Sequence, residues 1–233
     1  MRDGGRGARG EENPQKPELL SHPAFGTEHW APDIRRLGLV DYEPVWREMQ
    51  AFTALRQNDT ADQLWLLQHP SVYTLGLAGR KEHLPRSDNG IPVIKVDRGG
   101  QVTYHGPGQI VIYTLLDLRR RSLGVRQLVR RIEQAVIDLL AAYGIAAAGQ
   151  ENAPGVYVDG AKIAALGLRI RKGCSYHGLA LNVDMDLGPF GDIDPCGYAG
   201  LRVTQTRDLG IAQGIDRLGE ELLGTLQSNL ESD

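Results

Sequence analysis

The chain has 233 residues, 41% of them apolar and 24% charged, with a formal net charge of −3. That balance fits one globular domain with a proper core, and it excludes a protein held to nucleic acid or anionic lipid by bulk charge. No apolar run escapes charged residues for long enough to span a bilayer, and the opening MRDGGRGARGEENPQKPE holds no apolar signal core. The expectation is a cytoplasmic protein with neither nucleic acid nor membrane as partner. In that compartment the two cysteines, Cys174 and Cys196, are not expected to pair, so each thiol is either inert or reactive.

Residues 1–32 are rich in glycine, proline and charge and read as a flexible N-terminal extension; residues 33–233 read as a single domain, with order beginning near Ile34. Residues 42–57 set Val45, Met49 and Phe52 on one helical face, and Pro44 suits a first turn. QLWLLQ and SVYTLG, parted by His69 and Pro70, read as two short strands, and PVIKV at 92–96 as another. QIVIYTLLDL at 109–118 is almost continuously apolar, as a strand buried on both faces is. Residues 123–143 give the clearest helix, with Leu128, Ile132, Val136 and Leu139 on its apolar face, Ser122 to cap its start and Gly144 its end. GVYV and AKIAALGLRI flank Asp159-Gly160, a type I′ hairpin signal. SYHGLALNVDM reads as a further strand, PFGDIDPCGYAG as a loop, and about 214–230 as an amphipathic helix. Together these elements predict a mixed α/β (α+β) domain, a mixed sheet flanked by helices.

Residues 97–109 read DRGGQVTYHGPGQ. Their glycines precede a strand, whereas nucleotide-binding glycine loops lead from a strand into a helix N-terminus. Two readings remain: a tight turn with a bulge, or backbone cleared for a ligand, the second helped by Arg98, Tyr104 and His105 beside it. Cys196 stands between Pro195 and Gly197 in a loop, where a thiol is accessible. Asp192 and Asp194 disfavour its thiolate, so it is an ordinary thiol unless a cation attends it. Lys162 is the candidate: it enters an apolar strand, and it is either a surface hairpin lysine or a desolvated amine able to hold a thiolate and carry its proton. Cys174 reads as a packed strand-end thiol. A zinc site from Cys174, His177, Cys196 and His105 is not expected, because strand residues three apart face opposite sides and no second paired motif exists, so no metal is assigned. A serine-hydrolase elbow G-x-S-x-G is missing. Arg119, Arg120, Arg121, Arg126, Arg130 and Arg131 form either a solvated basic face or a dock for an acidic protein.

Taken in order, DRGGQVTYHGPGQIVIY, GAKIAALGLRIRKGCSYHGLALNVDMDL and DPCGYAG resemble the bacterial lipoyl(octanoyl) transferase family, over about Ile34 to Arg217. The resemblance implies the fold of the biotin and lipoate protein ligase catalytic module. It implies an acyltransferase that moves octanoate from octanoyl-acyl carrier protein to a specific lysine of lipoyl domains, the first step of making protein-bound lipoate. The acceptors implied are the lipoyl domains of 2-oxoacid dehydrogenase E2 subunits and the glycine cleavage H protein. Cys196 would carry the acyl group as a thioester, and Lys162 would lower its pKa. Substrate would lie on Arg98, Gly99, Gly100, Gln101, Val102, Thr103, Tyr104 and His105, on Ala165, Leu166 and Gly167, and on Gly178, Leu179 and Ala180. Tyr104 and His105 would line or orient the reacting end, and Cys174 would be a bystander. No cofactor is implied: thioester exchange is nearly even and thioester to amide runs downhill, so ATP is not needed. The rivals are an ATP-dependent lipoate or biotin ligase of the same fold, a lipoyl amidotransferase using the same cysteine, a thioesterase that uses water, and an acyl-binding protein that is never acylated.

Overall fold

The computed structural model describes residues 1, 30–151, 153–194 and 200–231. The expectations for an N-terminal extension, over residues 2–29, and for Cys196 with its neighbours in 195–199 lie outside the described residues. The elements in chain order are β1 (Asp33–Leu39), α1 (Tyr42–Leu55), β2 (Gln63–Gln68), β3 (Val72–Leu75), β4 (Val93–Lys95), β5 (Val102–His105) and β6 (Gln109–Leu115). They continue with α2 (Val125–Ala142), β7 (Ala148–Gly149), β8 (Gly155–Val158), β9 (Ala161–Arg171), β10 (Cys174–Asn182) and α3 (Ile215–Glu231). Among the described residues no helix is long and apolar enough to cross a membrane.

Seven strands form one sheet in the order β1-β2-β6-β10-β9-β8-β7, and three more form a second, β4-β3-β5. Both are mixed: β1 runs parallel to β2 and β3 to β4, while the other pairings are antiparallel. The central strand β6 is buried at every position, and its alternation feeds two cores. Ile110 and Ile112 pack with Leu128, Ile132 and Val136 of α2 and Leu222 and Leu226 of α3. Val111, Tyr113 and Leu115 pack with Val45, Trp46 and Met49 of α1.

Local chemistry explains most of the boundaries. Asp159 and Gly160 have φ of +49° and +76°, the left-handed pair that a type I′ turn requires between β8 and β9. Gly144, at φ +76°, closes α2: its N–H reaches Ala141, and that of Ile145 reaches Leu140. The start of α2 differs from expectation. Ser122 is not the cap; the helix begins after Gly124, whose N–H donates to the Gln127 side chain at 2.9 Å. Three strands were illegible: β1, a half-exposed edge strand of sequence DIRRLGL; β5, inside the stretch that reads as a glycine loop; and the two-residue edge strand β7. Order also extends upstream of residue 33, since Trp30 donates to Asp62 at 3.0 Å beneath the Arg121 guanidinium.

Asp62 ties that corner together. Its side chain, 1% exposed, accepts from Arg56 at 2.5 Å, Arg120 at 2.7 Å and the Asp117 N–H at 2.8 Å, as well as from Trp30. Arg56 is itself buried to 4%, so removing the carboxylate strands a cation away from water. Asp62→Ala is expected to cost about 3–5 kcal/mol, read as a lower urea midpoint with the slope unchanged.

Candidate functional site

A cleft opens between the two sheets. One wall is Arg98, Gly100–Thr103 and His105; the other is Ala165–Gly167 of β9, His177–Ala180 of β10 and Val111 and Tyr113 of β6, with Tyr42 of α1 between them. Little free space remains between the walls, about 60 Å³.

Missing side chains make this geometry possible. Gly167 and Gly178 stand opposite each other in register. A Cβ on Gly178 would come within 2.0 Å of the Ile112 carbonyl oxygen, and one on Gly167 within 3.0 Å of the Arg98 side chain. With both absent, the loop drops onto the sheet and the Gly99 N–H bonds to the Leu168 carbonyl at 2.9 Å. Arg98 clamps the loop from within: its guanidinium donates to the Thr74 carbonyl at 2.7 Å, the Thr74 hydroxyl at 2.8 Å and the Gly99 carbonyl at 2.9 Å.

Of the residues singled out in the sequence, Arg98, Gly100, Gln101, Val102, Thr103, His105, Ala165, Leu166, Gly167, Gly178, Leu179 and Ala180 meet at this cleft. Gly99 lies outside its lining, and so does Tyr104, which packs with Tyr73 and Phe190 and shares a hydrogen bond with Ser71 at 3.0 Å. Tyr42, Val111, Tyr113 and His177 were not singled out as lining. Tyr42, Val111 and Tyr113 carry only the signal of an aromatic or apolar residue on a buried face, which is the signal of core, and His177 was weighed only as a metal ligand.

Behind the wall runs a buried polar network. His105 Nδ1 meets the Gln109 side-chain oxygen at 2.7 Å, and Gln109 in turn donates to Asn182 at 2.9 Å. His69 lies between the Val40 carbonyl and the Tyr113 hydroxyl, both at 2.7 Å. Burial pushes the His105 pKa down to about 3 and that of His69 to about 4, so both rings are neutral at ordinary pH. Asp97 accepts from Trp46 at 2.8 Å, Gln50 at 3.0 Å, His177 Nε2 at 3.0 Å and the Tyr176 hydroxyl. Burial alone would raise the pKa of Asp97, but those four donors outweigh it and hold the carboxyl well below the usual carboxylate range.

Lys162 stands beyond the cleft, three residues along β9 from Ala165, a rise of roughly 10 Å. It is 4% exposed, its Nζ donates to the Pro154 carbonyl at 3.1 Å, and it lies 5.2 Å from the Tyr157 ring centre. The surface-hairpin alternative is therefore excluded. Gly155 lets the amine in, since a Cβ there would stand 2.8 Å from the lysine Cε. The Lys162 backbone also bridges the segment that follows Cys196 in the chain: its N–H donates to Arg202 at 2.8 Å and its carbonyl accepts from Thr204 at 2.9 Å. Cys174 lies at the other end of the β9–β10 pair, opposite Arg171, and burial pushes its thiol pKa up. Among the described residues no cluster of three or more histidines, cysteines or carboxylates is placed to hold a metal ion. The basic stretch divides: Arg119, Arg120, Arg121 and Arg131 bond to Asp117, Asp62 and the Leu230 carbonyl, while Arg126 and Arg130 are exposed beside Pro154.

This architecture is the catalytic module shared by lipoate and biotin ligases. It is similar to a crystal structure of lipoate-protein ligase A bound with ATP (TM-score 0.69, 18% identity, 85% of each chain). It is also similar to the biotin protein ligase from Aquifex aeolicus in complex with biotin and ATP (TM-score 0.56, 15% identity, 85% of this chain and 70% of that one). Residues 41–226 match the lipoyl protein ligase A/B catalytic domain family. The octanoyltransferase of Azoarcus sp. (strain BH72) is 65% identical over 190 residues, 82% of this chain and 84% of that protein. The octanoyltransferase of Laribacter hongkongensis is 61% identical over 197 residues, 84% and 95%. The chain belongs to the octanoyltransferase family and is an acyltransferase.

The buried imidazoles make stability depend on pH. Their folded pKa values lie below the ordinary 6.5, so the unfolded chain binds the extra protons. Their contribution is complete above about pH 6.5 and is lost as pH falls toward the folded values. At about pH 5 each ring is expected to have removed about 2 kcal/mol, read as a falling urea midpoint. The ring signals of His69 and His105 should not titrate in NMR between about pH 8 and 5.

Proposed function

We propose that this enzyme transfers an octanoyl group from octanoyl-acyl carrier protein to a specific lysine of lipoyl domains, through a thioester on Cys196. The observation that carries the proposal is the placement of Lys162. It is a buried amine on the strand that continues into the cleft, and its backbone is bridged to the segment leaving Cys196. Relatives 58–65% identical are named octanoyltransferase, whereas the ATP-bound ligases share only the fold, which favours transfer over ligation.

In the first half-reaction Lys162 takes the Cys196 proton, and the thiolate attacks the carrier thioester. The bond from the acyl carbon to the carrier sulfur breaks, and the departing sulfur takes the proton from the Lys162 ammonium. In the second, the acceptor amine attacks the Cys196 thioester, Lys162 receives the amine's proton, and the Cys196 sulfur leaves and regains it. Backbone N–H groups near Cys196 or Lys162 would hold the oxyanion in both halves. The acyl chain lies in the cleft, where Ala165, Gly167, Gly178 and Ala180 leave room for it. Exposed Arg126 and Arg130 face the acidic carrier. Acceptors are the lipoyl domains of 2-oxoacid dehydrogenase E2 subunits and the glycine cleavage H protein, and residues 33–233 act as one catalytic domain.

Mixed with octanoyl-acyl carrier protein but no acceptor or ATP, the protein is expected to gain one octanoyl mass, mapped to Cys196, and Cys196→Ser to gain none. A thioester left intact by the native protein would overturn the proposal. Lys162→Ala should slow acylation by at least tenfold near neutral pH and recover as pH approaches the ordinary thiol pKa of about 8.5. A loss that is equal at every pH would remove the proton role from Lys162.

A further inference from the structure

One peptide group joins Lys162 to a carboxylate on another element. The Pro154 carbonyl accepts from Lys162 Nζ at 3.1 Å, and the Gly155 N–H donates to the Glu133 side chain at 2.9 Å. That carbonyl and that N–H belong to the same peptide unit, which is trans, so they point to opposite sides. The amine and the carboxylate therefore stand at the two ends of one amide dipole. A charge at either end polarises the peptide and strengthens the bond at the other.

The local chain is shaped for this contact. Glu133 follows Ile132 on α2, a residue that enters the core, while the Glu133 carboxylate reaches β8. A Cβ on Gly149 would come within 3.1 Å of Glu133 Oε2, and one on Gly155 within 2.8 Å of Lys162 Cε, so each side chain uses room that a glycine leaves. Gly155 has φ +144°, a backbone that residues with side chains rarely adopt. Lys162 is 4% exposed, and burial of an amine disfavours its ammonium form, which a nearby carboxylate opposes. Burial raises the pKa of Glu133, while the Gly155 N–H, Lys162 and Arg130 favour its anion. The other charged or titratable groups around the pair are Arg126 and Glu151, which line an open groove with Glu133, and Tyr157 of β8, whose ring centre is 5.2 Å from Lys162 Nζ. Glu133 is half-buried, so water in that groove screens part of its field.

We infer that Glu133 is a positioning residue that acts through Lys162: across the Pro154–Gly155 peptide, its carboxylate stabilises the ammonium that forms when Lys162 receives a proton. The inference rests on the proton role proposed above for Lys162. Glu133→Gln keeps an oxygen for the Gly155 N–H and removes the charge, so a purely structural bond survives it. Lys162 is followed in full-length, lysine-labelled protein by the NMR shift of its ε-carbon, assigned by its absence from Lys162→Arg. Loss of the carboxylate should lower the Lys162 titration midpoint by about half a pH unit to one pH unit, the scale of one charge acting across a partly solvated amide. The pH profile of acylation by octanoyl-acyl carrier protein should move to lower pH by a similar amount, because removing a negative charge lowers both proton-binding steps of a coupled thiol–amine pair. A midpoint that stays or rises overturns the inference. A midpoint that falls while the profile stays also overturns it, because the charge then does not act on the reaction. If the native protein transfers no octanoyl group, the transferase proposal fails, and the midpoint alone decides whether Glu133 stabilises the ammonium. Should Glu133→Gln fail to fold, Lys162→Met gives the reciprocal measurement. Linkage then requires the Glu133 carboxyl midpoint to rise by the same amount, and an unchanged midpoint overturns the inference.

Discussion

The site depends on the contact made where Gly167 and Gly178 face each other across β9 and β10. Two absent side chains let β10 close on β6 and let the Arg98–Gly99 segment lie directly on β9. That contact joins the small sheet to the large one and creates the space between them. Arg98 then ties the roof down, because its guanidinium donates to Thr74 and Gly99 in a place where an unpaired cation would be costly.

The polar groups near the cleft are arranged so that burial sets their charge. His69 and His105 are pushed down and remain neutral, while Asp97 stays ionised because four donors converge on it. The ionised carboxylate is set behind His177 rather than in the cleft lining. Lys162 stands apart, buried against Pro154 and Tyr157 and joined to the Arg202–Thr204 segment. The cleft and the buried amine thus lie in sequence along one strand.

The sequence by itself determined the elements whose signals are local. The 3.6-residue periodicity of α2, the continuous apolar run of β6 and the Asp-Gly turn each follow from a few neighbouring residues, and the structure has all three. The motif stretches also marked both cleft walls and Lys162. Only the tertiary structure decided which way those residues face. Strand β5 hides among glycines because its order comes from pairing with β3, and β1 hides among arginines because its order comes from lying parallel to β2. Tyr104 lies outside the cleft lining and His177 lies within its wall, where β10 carries its one left-handed residue. The bond between His177 and the Asp97 carboxylate joins residues 80 positions apart in the chain. Such relations arise from packing at a distance, and no local pattern of residues encodes them.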